Sequence, residues 1–204
     1  MSACGPPCAP KFPGATTSAG RRAGLALISE CGAANCCAAP TGERHSISST
    51  TSFSQPNWPA WRHSGTASVD GVGCAQSETC HTHALLTVYR NGVRLALPDS
   101  IGRGTGCNYE MHTHDGSGVL HIETEVPRTF TLGQFLSLWG QGIGAGSVLG
   151  MPGPAQYYVI SNETITPVTT DPAALPLTAH TEIVVILGTP PAALPRYDWP
   201  GSGL

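Results

Sequence analysis

The sequence predicts a mainly β fold: a compact sandwich-like or small open-barrel domain with one short α-helix, preceded by a disordered N-terminal tail. Three observations carry this expectation. Glycine and proline number 25 and 18 among 204 residues, a composition that suits strands and turns better than long helices. Two pairs of strand-like runs flank tight-turn sequences, Asn91-Gly92 and Asp115-Gly116-Ser117-Gly118. Asn-Gly between such runs is the strongest short-range hairpin signal. Only one stretch, 131–140, has apolar residues at helical spacing between clear start and stop residues.

In chain order, the first hairpin runs from His83 to Arg90, turns at Asn91-Gly92 and returns over Val93 to Leu97. Pro98 and residues 100–106 read as loop. Tyr109 to His114 and Val119 to Glu125 form the second hairpin. Thr131-Leu132-Gly133-Gln134 is a capping box, with Thr131 as N-cap and Gln134 at the third helical position. Leu132, Phe135, Leu136 and Trp139 then share one helical face, and Gly140 suits the stop. Residues 141–156 are rich in glycine and proline and read as loop. Tyr157 to Ile160, Thr164 to Val168 and Glu182 to Leu187 are further strands, and the proline-rich chain after Gly188 reads as irregular coil. The folded domain is placed at 69–204, long enough to bury a real core. Residues 1–68 are rich in Ala, Pro, Gly, Ser and Thr without apolar periodicity. Such a segment buries too little to offset its ordering entropy.

Charge narrows the function classes. The net charge is −3, and charged residues make up 11%, less than half the usual level of about 25%. The tail carries five basic and two acidic side chains; the domain carries five arginines against eleven acids. No basic stripe exists to follow a phosphate backbone, so nucleic acid is not an expected partner. No run of about 18 apolar residues predicts a membrane-spanning helix. The nearest candidate for a secretion signal, Arg21-Arg22-Ala23-Gly24-Leu25-Ala26-Leu27-Ile28, is short, late and followed by Glu30. It matches a signal peptide poorly.

The eight histidines are the informative feature. His112-Thr113-His114-Asp115-Gly116-Ser117-Gly118-Val119-Leu120-His121-Ile122-Glu123 holds three of them and two acids. If 115–118 form the turn, His112 lies opposite His121 and Glu110 opposite Glu123. Residues two apart, and residues directly opposed, share a face. Glu110, His112, His114, His121 and Glu123 then lie on one face, with Met111, Leu120 and Ile122 on the other. This holds only for an even loop, because an odd one moves a whole strand's set to the opposite side. Imidazole nitrogen with a completing carboxylate suits copper or zinc first, and iron also. His81-Thr82-His83 and His180-Thr181-Glu182 repeat the period-two pattern. The candidate metal ligands are therefore His112, His114 and His121, then His83 and His81, then Glu123 and His180, converging on one large site or two adjacent ones. His45 and His63 fall in the tail and are set aside. The metal reading requires at least three ring nitrogens within about 5 Å of one another.

Of the eight cysteines, Cys4, Cys8, Cys31, Cys36 and Cys37 fall in the tail and form no Cys-x-x-Cys pair. Cys74 and Cys107 bracket the first hairpin and are candidates for a disulfide in an oxidising compartment. Cys80 is then left over, as an inert thiol or, beside His81, as a soft ligand for Cu(I).

The segment from Cys107 through Gly140 resembles a group of largely uncharacterised bacterial and archaeal proteins, often extracytoplasmic or lipid-anchored. The motifs are His-Thr-His-Asp-x-x-Gly-x-x-His-Ile-Glu at 112–123, Arg-Thr-Phe-Thr-Leu-Gly-Gln-Phe at 128–135 and Trp139-Gly140. His81-x-His83, His180-x-Glu182-Ile183-Val184 and the final Trp199-Pro200-Gly201-Ser202-Gly203-Leu204 fit as well, so the match spans roughly residues 74–204. The resemblance implies a periplasmic or secreted location and carries no assigned activity.

Three functions follow as expectations. The first is a copper- or zinc-binding module in extracytoplasmic metal handling. The second is a metal-dependent enzyme, an oxidoreductase or hydrolase, cupin-like by analogy through its His-x-His and downstream His. The third is a secreted β-rich interaction or structural domain whose histidines are incidental. The enzyme requires an open coordination position in a pocket of about 300 Å³ or more.

Overall fold

Strand-forming runs joined by tight turns build one open seven-stranded sheet, and the fold is mostly β without closure into a barrel. The computed structural model describes residues 46–47, 54, 56–144, 146–202 and 204. The sheet's strands are β1 (Cys80–Arg90), β2 (Val93–Leu95), β3 (Met111–His112), β4 (Val119–Thr124), β5 (Ala155–Ser161), β6 (Thr164–Pro167) and β7 (Glu182–Leu187). Helix α1 (Leu132–Trp139) lies between β4 and β5 in the chain. The strand order is β6-β5-β7-β1-β4-β3, with β2 also paired to β1.

The first hairpin forms as expected. Arg90 faces Val93 and Tyr89 faces Arg94, and Asn91 and Gly92 both have positive φ, 48° and 80°, the conformation of a type I′ turn. β1 and β7 pair in parallel, Leu85 through Arg90 against Glu182 through Leu187. Both are interior strands, and every residue of β7 is buried, which explains its near-continuous apolar run.

Alternate residues of β1 face opposite sides of the sheet and join three apolar clusters. Ala84, Leu86 and Val88 face a large cluster with Phe130, Leu132, Phe135, Leu136 and Trp139. Tyr89 packs with Tyr158, Ile160, Val184, Ile186 and Leu194, and Leu85 with Val119, Tyr197 and Trp199. The chain after Gly188 thus supplies cover for the second face. Truncating the fully buried Phe135 to alanine would cost about 3–5 kcal/mol. Helix α1 has the expected ends: Thr131 Oγ1 accepts from Gln134 N (3.3 Å), and Thr131 N donates to Gln134 Oε1 (3.0 Å). Gly140 closes it at φ 76°.

Three readings change. The chain after Gly188 is not all irregular coil: Arg196–Tyr197 is a short strand and Trp199–Ser202 a single helical turn. Residues 141–156 are not plain loop: Ile143–Gly144, Ser147–Val148 and Met151–Pro152 form a small antiparallel sheet, and β5 begins at Ala155. Two-residue strands have no periodicity to detect, yet Val148, Leu149 and Met151 join the main core. Most of the segment read as tail lies outside the described residues. Its end, 56–68, packs on the domain. Trp58 meets Trp139 edge-on at 5.0 Å, and Trp61 Nε1 donates to Leu138 O at 2.7 Å. Two tryptophans carry apolar area that the segment's average composition conceals. Among the described residues, no helix is long and apolar enough to cross a membrane.

Candidate metal centre

The second hairpin sets the site's register. Met111 pairs with Ile122 and His112 with His121, and Glu123 N donates to Glu110 O at 2.9 Å. The connection from β3 to β4 is six residues, 113–118. It is longer than the four-residue turn but still even, so the pairing parity is as expected. β4 is also paired with β1: His81 faces Glu123 and His83 faces His121. Three adjacent strands therefore present histidines on one side. On that side Leu85 and Val119 are covered by Tyr197 and Trp199, and the polar plate begins where this apolar cover ends.

Backbone constraints hold the histidine-bearing loop. Gly118 sits at φ 87°, and a Cβ there would collide with Leu86 O, which only glycine avoids. A Cβ on Gly102, at φ 76°, would likewise collide with Met111 O. Thr113, between the two histidines, is tied down by Thr113 Oγ1 donating to Pro98 O (2.8 Å) and Ile101 N donating to Thr113 Oγ1 (3.1 Å). The buried Arg94 donates from Nη2 to Ser117 O at 2.6 Å.

Among the described residues, three sets of donor atoms converge, two of them rich in histidine. His112, His114, His121 and Glu123 each offer one atom, all within 4.8 Å of one another, and so do His81, His83 and His121. A tetrahedral ion with bonds near 2.0–2.1 Å needs donors about 3.3 Å apart. His112 Nε2 is 2.9 Å from His114 Nε2 and 3.5 Å from Glu123 Oε1. His121 Nδ1 is 3.2 Å from His81 Nε2 and 3.1 Å from His83 Nε2. One ring nitrogen has a single N–H or a single lone pair, so His121 Nδ1 can complete a full hydrogen bond with only one of these two. A shared cation satisfies both.

The tautomer of His112 is fixed. Its Nδ1 lies 2.9 Å from Tyr109 O, and a carbonyl only accepts, so Nδ1 carries the proton and Nε2 presents its lone pair to the site. This backbone anchor is the usual support for a metal-bound histidine. His112 and Glu123 are buried, while His114 and His81 are exposed, so the plate opens to solvent at two edges. Burial, reinforced by His81, lowers His83 from 6.5 to about 4. Burial and His83 lower His121 to about 3. Burial also lowers His112 and His114. Burial, with Glu78, raises the Glu123 carboxyl. The rings are therefore neutral at neutral pH, the form that binds metal.

Other expected residues stand elsewhere. Glu110 falls outside the convergent sets: its carboxylate accepts from Arg128 Nη1 (2.6 Å) and Gly73 N (2.9 Å). His180 is also outside them. Its backbone has φ 59°, and its ring stacks on Trp199 at 4.6 Å. His63 packs edge-on against Tyr109, away from the plate. Cys74 and Cys107 form the expected disulfide, with Cα atoms 5.3 Å apart. Cys80 is disulfide-bonded too, which removes it as a soft Cu(I) ligand; no free thiol remains among the described residues. Two contributors escaped the sequence reading. Glu78 converges with His81 and Glu123; it precedes β1, where no strand alternation assigns it to a face. Arg94 was hidden as an ordinary hairpin residue.

Comparison with known proteins finds no matching family model, no matching curated protein and no matching solved structure.

Proposed function

We propose that the protein is a metal-binding module that holds a divalent transition ion on His112, His114, His121 and Glu123. The observation that carries the reading is the convergence of these four donors within 4.8 Å. Three imidazole nitrogens and one carboxylate oxygen suit zinc or Cu(II), and iron also accepts such a set. With no free thiol among the described residues, the set favours these borderline ions over Cu(I). Handling of the ion outside the cytosol is supported by the disulfide-bonded cysteines, which persist in oxidising compartments, and by the resemblance to extracytoplasmic proteins. The test is elemental analysis of tag-free, disulfide-intact protein after dialysis. Wild type should retain metal and the His112→Ala, His121→Ala double variant should lose it; equal metal content in both would overturn the assignment.

A metal-dependent enzyme is the second reading. One observation favours it: His114 lines a cavity of about 410 Å³ that also has Trp58, Pro98 and Asp99 on its walls. An ion there would have an exchangeable position beside a pocket. Azide shifting the visible spectrum of the Co(II)-loaded protein would support this reading, and an unchanged spectrum would count against it.

A further inference from the structure

We infer that the sheet carries a two-ion centre, in which His121 Nδ1 joins His81 and His83 on a second divalent transition ion while the ion on the hairpin keeps His112, His114 and Glu123. This rests on the metal reading above and deepens it.

The donor count comes first. Five imidazoles and one carboxylate belong to the two histidine-rich convergent sets, and Glu78 joins His81 and Glu123 in a third, more than the four ligands a tetrahedral ion takes. The sets also divide by strand. The histidines of β3 and its following loop group with His121 and Glu123, and those of β1 group with His121. His121 lies on the middle strand, paired with His112 across one edge and His83 across the other. A single ion near either edge leaves the other pair unused. The β1 set is spaced for an ion of its own: His121 Nδ1 stands 3.1 Å from His83 Nε2 and 3.2 Å from His81 Nε2, close to the about 3.3 Å that tetrahedral bonding requires.

Glu123 lies between the two positions. Its Oε1 is 3.3 Å from His81 Nε2 and 3.5 Å from His112 Nε2. Ions in two-metal sites stand about 3.5–4 Å apart, and one carboxylate has lone pairs enough to face both. Three imidazoles leave the second ion a fourth position at the exposed edge of His81, where the Glu78 carboxylate also converges.

The test is titration of the disulfide-intact, tag-free full chain with Cu(II), read by elemental analysis after gel filtration and by electron paramagnetic resonance. Wild type should bind two equivalents, and a half-field signal from coupled ions should grow between the first and the second. His83→Gln should bind one equivalent and show no half-field signal. His81→Gln, at an exposed position, should do the same without disturbing the core. One equivalent in wild type, or two that persist in both variants, would overturn the two-ion inference while leaving the single-ion function standing. No bound copper, and none of zinc in a parallel titration, would overturn both.

Discussion

Replacing Gly118 with alanine should damage both the fold and the metal site, and Gly106→Ala separates the causes. Both glycines have positive φ, 87° and 79°. An added Cβ at Gly106 meets nothing within 4 Å, so that variant reports conformational strain alone, about 1–2 kcal/mol. At Gly118 the Cβ collides with Leu86 O, while Leu86 N donates to Gly118 O at 2.9 Å. Relief requires the loop to move off β1 by roughly 1 Å to reach an ordinary carbon–oxygen contact. Losing that buried hydrogen bond adds about 1–3 kcal/mol, for a total of about 2–5 kcal/mol when combined with the strain. The loop carries His114 four residues upstream, and metal bonds tolerate only about 0.2 Å. Zinc affinity should therefore fall about 10–100-fold, as it does when ligand support is lost. Urea unfolding in the presence of chelator measures the first effect, and competition with a chromophoric zinc chelator the second. If Gly118→Ala and Gly106→Ala destabilise equally, or zinc affinity is unchanged in Gly118→Ala, the packing account of this loop is wrong.

Metal-free protein should lose stability on acidification in a defined window. Unfolded imidazoles take up protons near 6.5, but folded His83 and His121 do so only near 4 and 3. Protons in between favour the unfolded chain. Stability from these rings should be intact above about 6.5 and fall as the pH drops from there through about 4 and 3; Glu123, with its raised carboxyl, acts in the opposite sense, and chemical unfolding across pH 3–8 in chelator measures the sum. The Cys74→Ser, Cys107→Ser double variant opens a bond between residues 33 apart; it should lower the unfolding free energy by about 4 kcal/mol, read from the urea midpoint with the slope checked for an altered denatured state. Thr131→Ala removes the N-cap oxygen of α1 and should cost about 1 kcal/mol in thermal unfolding, with metal content unchanged because the cap lies outside the plate.

Local chemistry made much of this legible. The Asn91-Gly92 turn and the Thr131 capping box each depend on a few adjacent residues, and both form as read. The His112–His121 pairing was legible because only loop parity matters, and six residues preserve the parity of four. The contact between β1 and β4 was not, since it joins histidines about forty positions apart through pairing that no local turn dictates. Its trace in the sequence is the shared period of two in His81-x-His83 and His121-x-Glu123. Glu110 had the right parity, but Arg128 and Gly73 engage its carboxylate. His180 had the right spacing before β7, but its positive φ and the Trp199 ring place it outside the plate. Tertiary partners, not strand pattern, decided both.

The central claim is that imidazoles and a carboxylate on this hairpin hold a divalent transition ion. X-ray absorption at the zinc edge, on the full chain loaded with one equivalent of Zn(II), tests it most directly. The account predicts four nitrogen or oxygen neighbours at about 2.0–2.1 Å, with outer-shell scattering from three imidazole rings. A six-oxygen hydration shell with no imidazole scattering would contradict it.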